Sequence, residues 1–382
     1  MPKLIIRITT VPSSLGGLLK GQLNFMSNYY NVLGIASPGN NNELKNIEKV
    51  EGITTVPVEM TRKITPIKDT IAVYQLYKIF KREKPFIVHS HTPKAGTLAM
   101  IAAKLSGTPH RLHTIAGLPL VEATGVKRTV LNAVETLTYS CATKIYPNSY
   151  GLENIILDNK FTTKSKLKVI ANGSSNGIDI DIFNPDLIDT AEKQKLKSEL
   201  GILDTDYVYI FLGRIVTDKG VNELVRAFDK ISKKESSVKL LLVGRYENDL
   251  DPLHKDTLAL IESNNQIIST GHVTDVRPYF AISNVLTFPS YREGFPNVVM
   301  QAGAMGIPAI VSDINGCNEI ISEDKNGSII PVKNTEALYQ KMLQIFEGKL
   351  IYNKGVCRDM IVSNYNKHVV WDALLSEYKS LN

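Results

Sequence analysis

The pattern that most constrains this chain is an alternation of short apolar runs with amphipathic helical stretches, broken once and then restarted. Lys3 to Thr10 reads as a buried strand, followed by Gly16 and Gly17 and a helical stretch from Leu18. Phe86 to Ser90 reads as the next strand, then the helix pattern Ala95 to Leu105 and the strand Arg111 to Thr114. Lys144 to Pro147 and Lys168 to Ile170 complete the first series. Continuous apolar strands alternating with helices imply a parallel sheet covered on both faces. The run Ala171-Asn172-Gly173-Ser174-Ser175-Asn176-Gly177 then interrupts the pattern with residues that take unusual backbone angles cheaply. A second series follows: Tyr207 to Leu212, Lys239 to Val243, Ile267 to Ser269, Val285 to Pro289, Ala309 to Ser312 and Ser328 to Ile330.

These observations predict an α/β chain of two doubly wound domains: residues 1–170, a hinge at 171–185, and residues 186–358. A last helix over 359–382, with Trp371, Leu374, Leu375 and Tyr378 at helical spacing, is expected to return to the first domain. Two such sheets facing one another would leave a cleft at their C-terminal strand edges, where ligands of these sheets bind.

Charge divides the halves. Residues 1–170 hold 22 Lys and Arg against 10 Asp and Glu, whereas the remainder holds 22 against 28. A basic half implies an anionic partner. Nucleic acid is disfavoured, because no binding motif or interleaved aromatic pattern accompanies the basic residues, which leaves an anionic membrane surface. The segments Lys63 to Lys84 and Gly125 to Tyr139 mix apolar stripes with Lys and Arg. They read as helices packed on the sheet, as helices resting on lipid, or as both. No run approaches the roughly 18 apolar residues of a membrane span, and the N-terminus lacks the parts of a signal peptide. Three widely spaced cysteines, Cys141, Cys317 and Cys357, form neither a disulfide framework nor a zinc pattern. A cytoplasmic setting, peripheral to the inner face of the membrane, is the expectation.

Two motifs carry the chemistry. The first, Ser290-Tyr291-Arg292-Glu293-Gly294-Phe295-Pro296-Asn297-Val298-Val299-Met300-Gln301, follows a strand directly and opens a helix at Pro296. The free N–H groups of that first turn suit an anion. A carboxylate just before it can accept from sugar hydroxyls, or can simply be an exposed capping acid. The second, Leu212-Gly213-Arg214-Ile215-Val216-Thr217-Asp218-Lys219-Gly220, also follows a strand. It presents two cations, and fixed cations stabilise the charge that develops on a departing diphosphate.

Together these strings resemble the retaining family 4 glycosyltransferases, whose signature places two Glu residues eight positions apart in a Glu-Gly-Phe-Pro frame. The match runs from Glu293 to Gln301, with Gln at the second acid's place; its amide still hydrogen-bonds but carries no charge. The resemblance implies a GT-B fold of two Rossmann-like domains and a metal-independent reaction without a cofactor. In the family, the counterpart of Glu293 contacts the donor sugar, that of Gln301 the ribose, and those of Arg214 and Lys219 the diphosphate. Gly16 and Gly17 resemble the small-residue loop near the diphosphate. Gly244, Arg245, His272 and Val273 follow two further strands and are expected near the nucleobase, with uracil favoured by the subgroup.

His89-Ser90-His91-Thr92-Pro93-Lys94 and Arg111-Leu112-His113-Thr114-Ile115-Ala116-Gly117-Leu118 resemble a narrower subgroup that extends glycans on a polyprenyl-diphosphate carrier. There His113 would sit beside the donor sugar; its other reading is a structural histidine at a strand end. Lys94 could meet an acceptor phosphate. His89 and His91 lie two apart on one strand, and without a third ligand they read as structural. Asp179-Ile180-Asp181 and Asp249-Leu250-Asp251 each spell a metal-binding triplet, but neither follows a strand, and both are expected to be surface features. The implied activity is transfer of a sugar, with an N-acetylhexosamine among the candidates, from a UDP-sugar to a polyprenyl-diphosphate-linked or other glycan, with anomeric configuration retained. Two readings stay beside it. A sugar-nucleotide epimerase of the same fold would lack the Glu293 frame, and a non-catalytic assembly partner would keep the pocket without the chemistry. A dinucleotide oxidoreductase would need a Gly-x-Gly-x-x-Gly fingerprint, which is absent.

Overall fold

The computed structural model describes residues 2–61, 65–118, 120, 123–247, 249 and 251–381, and the chain divides into two compact units. One unit comprises Met1–Gly177 with His368–Asn382, the other Ile178–Lys367.

The first unit is built on six parallel strands: β1 (Leu4–Ile8), β2 (Asn31–Ala36), β3 (Thr54–Pro57), β4 (Ile87–Ser90), β5 (His110–Ile115) and β6 (Lys144–Pro147). Their order is β3-β2-β1-β4-β5-β6. The chain therefore winds outward from β1 in one direction and from β4 in the other, and the order reverses between those two strands. Strands β1 and β4 are almost wholly buried, as expected where helices cover both faces. The helices Pro66–Glu83 and Gly125–Cys141 both pack on the helix Pro93–Ser106.

The second unit repeats the plan with β7 (Tyr207–Leu212), β8 (Val238–Val243), β9 (Ile267–Gly271), β10 (Val285–Phe288), β11 (Ala309–Ser312) and β12 (Gly327–Ile330). Their order is β12-β11-β10-β7-β8-β9, so its reversal falls between β7 and β10. Ligands of doubly wound sheets bind at the C-terminal strand ends beside such a reversal.

Several expectations need correction. Gly16 and Gly17 do not form a turn ahead of a helix. They lie inside the helix Pro12–Leu18, and the residues between β1 and that helix are Thr9 to Val11. Gly16 admits the neighbouring helix Glu43–Glu51, since a Cβ there would stand 3.0 Å from Ile47 Cγ1. Lys168 to Ile170 forms no strand; beside β6 only a single bridge, Ile145 with Leu167, is made. The units part at Gly177, inside the expected hinge at 171–185, and again at Lys367 rather than at 358. The expected last helix is two: Lys354–Tyr365 stays with the second unit, and Lys367–Ser380 carries the chain back into the first. The break comes at Asn366, which bridges to Ile178 while Ile178 N donates to Tyr365 O at 2.8 Å.

The returning helix is held as the apolar spacing predicted. Leu374, Leu375 and Tyr378 join Ile5, Ile87 and Leu112 in one core. Glu377 accepts from Lys168 and from the Tyr146 hydroxyl, and Trp371 Nε1 donates to Asn176 Oδ1 at 2.7 Å. Among the described residues no helix is long and apolar enough to cross a membrane.

Candidate active site

In the second unit the two sequence motifs follow the two strands that flank the reversal. β7 runs into Gly213, Arg214 and the short turn Thr217–Lys219; β10 runs into Ser290 and Glu293. Lys219 Nζ makes an ion pair with Glu293 Oε1, and both side chains are largely buried. The Ser290 hydroxyl lies 3.0 Å from the same carboxylate oxygen. Lys219 also stands 5.9 Å from the centre of the Phe288 ring, so the ammonium is bounded by one carboxylate and one apolar wall.

Arg214 is bound to Glu247 at 2.8 Å and lies 3.8 Å from Asp218. Partial burial works against its charge, but Glu247, Asp218 and, more weakly, Glu293 outweigh that and raise its pKa. Glu293 therefore acts on both cations, in direct contact with Lys219 and at longer range with Arg214. Asp218 also holds Arg292 at 3.0 Å. Cations and carboxylates here alternate, an arrangement that can exchange internal partners for an anionic ligand and its hydroxyls.

The helix after Glu293 spans Asn297–Ala304, with Pro296 at its cap. Phe295, Pro296 and Val298 are buried, and the Phe295 ring packs against Tyr365 at 5.4 Å between centres. Gly294 O is approached so closely by the backbone of Gly316 that a Cβ there would lie 2.4 Å from it. Asn315 Nδ2 donates to Glu293 O, tying the motif to the loop after β11. Gln301 is half-buried on the helix, while Asn297 is exposed at its start. Gly244 follows β8, and a Cβ on it would overlap Gly213 O at 1.7 Å, so the ends of β7 and β8 touch through backbone alone. Arg245 and His272 are exposed at the ends of β8 and β9, with Val273 half-buried beside them. The sequence-selected residues of this unit thus line four neighbouring strand ends, β10-β7-β8-β9.

In the first unit His113 is 3 % exposed at the C-terminal end of β5. Its Nδ1 lies 2.9 Å from the Ser90 hydroxyl. Burial lowers its pKa to about 4, with the Ser90 contact opposing. The helix Pro93–Ser106 passes directly over the ring, and only the absence of a side chain at Gly96 allows it: a Cβ there would stand 2.3 Å from His113 Cε1. Lys94 is paired with Asp69 at 2.5 Å, so the acceptor-phosphate role suggested for it would first require that pair to open. Both ring nitrogens of His89 are committed, to the Tyr378 hydroxyl at 2.5 Å and to Thr114 Oγ1 at 2.7 Å, and His91 Nε2 receives Arg7 Nε at 3.0 Å. These contacts give both histidines structural work.

The acidic triplets have local tasks. Asp179 Oδ1 accepts from Asp181 N at 3.2 Å, and its other oxygen pairs with Lys367 at 2.6 Å. In the second triplet Leu250 lies outside the described residues, but Asp251 is more than a surface feature: its Oδ2 accepts from Asp218 N at 2.7 Å. Sequence reasoning missed this residue, together with Asp218, Ser290, Glu247 and Asn315.

Residues 192–366 match the model of the glycosyl transferases group 1, and residues 18–149 match the model called glycosyl transferase 4-like. Over 381 residues the chain is 31% identical to the capsular polysaccharide biosynthesis glycosyltransferase CapM of Staphylococcus aureus, covering 98% of this chain and 97% of that one. The chain is a glycosyltransferase of the family 4 type. The transferase is also 28% identical, over 80% of its length and 78% of the relative, to an Escherichia coli UDP-Gal:alpha-D-GlcNAc-diphosphoundecaprenol alpha-1,3-galactosyltransferase. Its architecture matches that of Anabaena Alr3699/HepE, solved in complex with UDP, with a TM-score of 0.80 over the whole of both chains at 16% identity. That likeness establishes the two-domain GT-B fold of the transferase.

Proposed function

We propose that this glycosyltransferase moves a sugar from a UDP-sugar to a polyprenyl-diphosphate-linked glycan in bacterial surface polysaccharide synthesis, with retention and without a metal ion. The observation that carries the reading is the Lys219–Glu293 pair beside the strand reversal of the second unit, with Arg214 in its field. Rupture of the sugar–phosphate bond places charge on the leaving diphosphate. Lys219 and Arg214 would stabilise that charge, as a divalent ion does elsewhere. Glu293, freed from Lys219, would accept from donor-sugar hydroxyls. The leaving phosphate oxygen would take the proton of the attacking hydroxyl on the same face, so configuration is kept. The name of the E. coli relative, with its UDP-Gal donor and diphosphoundecaprenol acceptor, supports both substrate classes.

The test is purified protein with a panel of UDP-sugars, including UDP-galactose and UDP-N-acetylhexosamines, and a polyprenyl-diphosphate sugar, with and without EDTA. An α-linked product from an α-linked donor, formed equally in EDTA, is expected. No transfer from any donor overturns the reading. Conversion of UDP-N-acetylglucosamine without acceptor would make the protein an epimerase, and an undiminished cellular role for Lys219→Ala would make it a scaffold.

Localisation at the inner membrane face belongs to the same proposal. Ile67, 79 % exposed, with Ile71 and Tyr74 forms an apolar row on the helix Pro66–Glu83 among Lys68, Lys78 and Lys81. Val126, 82 % exposed, with Val130 and Leu137 forms a second row on the helix Gly125–Cys141. Apolar rows bordered by lysines suit an anionic lipid surface. Lys63, which begins the segment expected there, lies outside the described residues. Sedimentation with phosphatidylglycerol vesicles should be lost in Ile67→Glu/Ile71→Glu, and equal binding by that variant refutes the contact.

A further inference from the structure

The turn that carries Lys219 has no side-chain cap at its start, where Val216 stands. Thr217–Lys219 is a single three-residue helical turn, and Gly220 after it has φ +69°. Its order must come from outside, and the structure shows where. Asp251 Oδ2 accepts from Asp218 N at 2.7 Å, and Asp251 O accepts from Thr217 N at 3.3 Å. Thr217 Oγ1 donates to Pro252 O at 2.6 Å. Asn222, fully buried on the following helix, closes the seam: its Nδ2 donates to Thr217 Oγ1 at 3.0 Å and its Oδ1 accepts from His254 N at 3.0 Å. Three direct hydrogen bonds, and a two-bond bridge through Asn222, thus stitch the turn to the segment Asp251–His254 after β8.

We infer that Asp251, with Thr217 and Asn222, is a positioning residue of the transferase, fixing the Lys219 turn from the segment that follows β8. The carboxylate is suited to the task. A backbone N–H at the start of a turn is an unsatisfied donor, and an ionised acceptor makes a hydrogen bond to it stronger than a neutral one does. Asp251 touches neither Lys219 nor Glu293 in the contacts described, so its effect passes through the backbone of Asp218 to the next residue. The same loop also supplies Glu247 to Arg214 at 2.8 Å. The β8 loop, which also bears Arg245, therefore pairs with Arg214 directly and braces the backbone of the Lys219 turn, which the β10 segment holds from its other side through Tyr291 N donating to Asp218 O at 2.8 Å. A loop shared in this way would make occupation of the base region and placement of the diphosphate cations one event.

The inference rests on the reading of Lys219 as a diphosphate ligand, and the experiment separates the two. UDP affinity by calorimetry, sugar transfer and thermal midpoint are measured for the wild type, Lys219→Ala, Asp251→Ala, Asp251→Asn and Lys219→Ala/Asp251→Ala. Asp251→Ala should weaken UDP binding and transfer by about tenfold or more, the scale expected when a binding group shifts by a fraction of an ångström. Asp251→Asn keeps an oxygen for Asp218 N and should recover most of the loss. The double variant should be no weaker than Lys219→Ala, because Asp251 acts through that side chain. Wild-type affinity in Asp251→Ala, or penalties that multiply in the double variant, overturns the inference. Should Asp251→Ala fail to fold, Thr217→Val removes the other side of the seam with little change of volume and must show the same non-additivity. Unchanged UDP affinity in Lys219→Ala would instead bring down the reading of the site itself.

Discussion

Gly220→Ala is the substitution whose consequence the structure states most fully. The residue has φ +69°, and a Cβ built on it stands 2.0 Å from Pro289 O and 2.8 Å from Pro289 C. A carbon and a carbonyl oxygen approach to about 3.3 Å at the closest without penalty, so the turn and the end of β10 must part by roughly 1.3 Å. Pro289 directly precedes Ser290, whose hydroxyl lies 3.0 Å from Glu293, and Gly220 directly follows Lys219. The separation therefore falls on the Lys219–Glu293 pair. Two costs follow. The left-handed conformation costs an alanine about 1–2 kcal/mol in stability. The displacement, at about 1 Å, lowers kcat/KM by about 10²-fold, or close to 2.7 kcal/mol in the transition state. Gly348 is the internal control: its φ is +70°, yet nothing lies within 4 Å of its Cβ position. Gly348→Ala pays the conformational cost alone, lowering the thermal midpoint by about 2–8 °C while leaving transfer unchanged. Thermal unfolding and initial rates on the same preparations decide the matter. Equal loss of stability in the two variants, with Gly220→Ala retaining activity within about threefold of wild type, would refute the steric argument.

Glu293→Gln keeps the volume of the side chain but leaves Lys219 without its carboxylate, and should cost about 10²- to 10³-fold in kcat with little change of thermal midpoint; steady-state rates check it. Gly96→Ala should displace the His113 ring and depress transfer as far as His113→Ala does, and the double variant, assayed alongside, should be no worse than either. Stability should fall as pH drops from about 6.5 towards 4. His113 is held near 4 by burial, and His89 and His91 are driven down by the same cause, so the unfolded chain binds protons that the folded chain refuses. The contribution is complete above 6.5 and is lost on acidification at about 1.4 kcal/mol per pH unit for each histidine, as urea titrations at pH 7 and 5 would show, with His113→Asn giving the shallower slope.

What the sequence made legible follows from burial. Every strand of the second sheet was readable to within two residues, most plainly the apolar runs of β8, β10 and β11, which are covered on both faces. β3 gave no such signal: it is a four-residue edge strand with partly exposed side chains and a terminal proline. β2 was hidden by Gly34, which interrupts its apolar run and whose missing side chain leaves room for Ile53 and Leu15. The Gly16-Gly17 pair misled for the opposite reason, since tertiary packing on Ile47 sustains a helix that local propensity alone disfavours.

The site divides along a different line. Lys219 and Glu293 sit in short contiguous motifs at strand ends, so each was visible alone; that they pair across 74 residues follows only from the strand order. Asp251 shows why the supporting residues were not visible. An Asp-x-Asp spacing is compatible with a metal ion, with solvent or with a backbone donor, and the choice depends on which N–H another strand brings within reach. Here that donor is Asp218 N, 33 residues away and fixed by the parallel pairing of β7 with β8. Spacing along the chain records which groups could do chemistry. The register between neighbouring strands decides which groups hold them still, and that register is written in burial distributed over whole strands rather than in any motif.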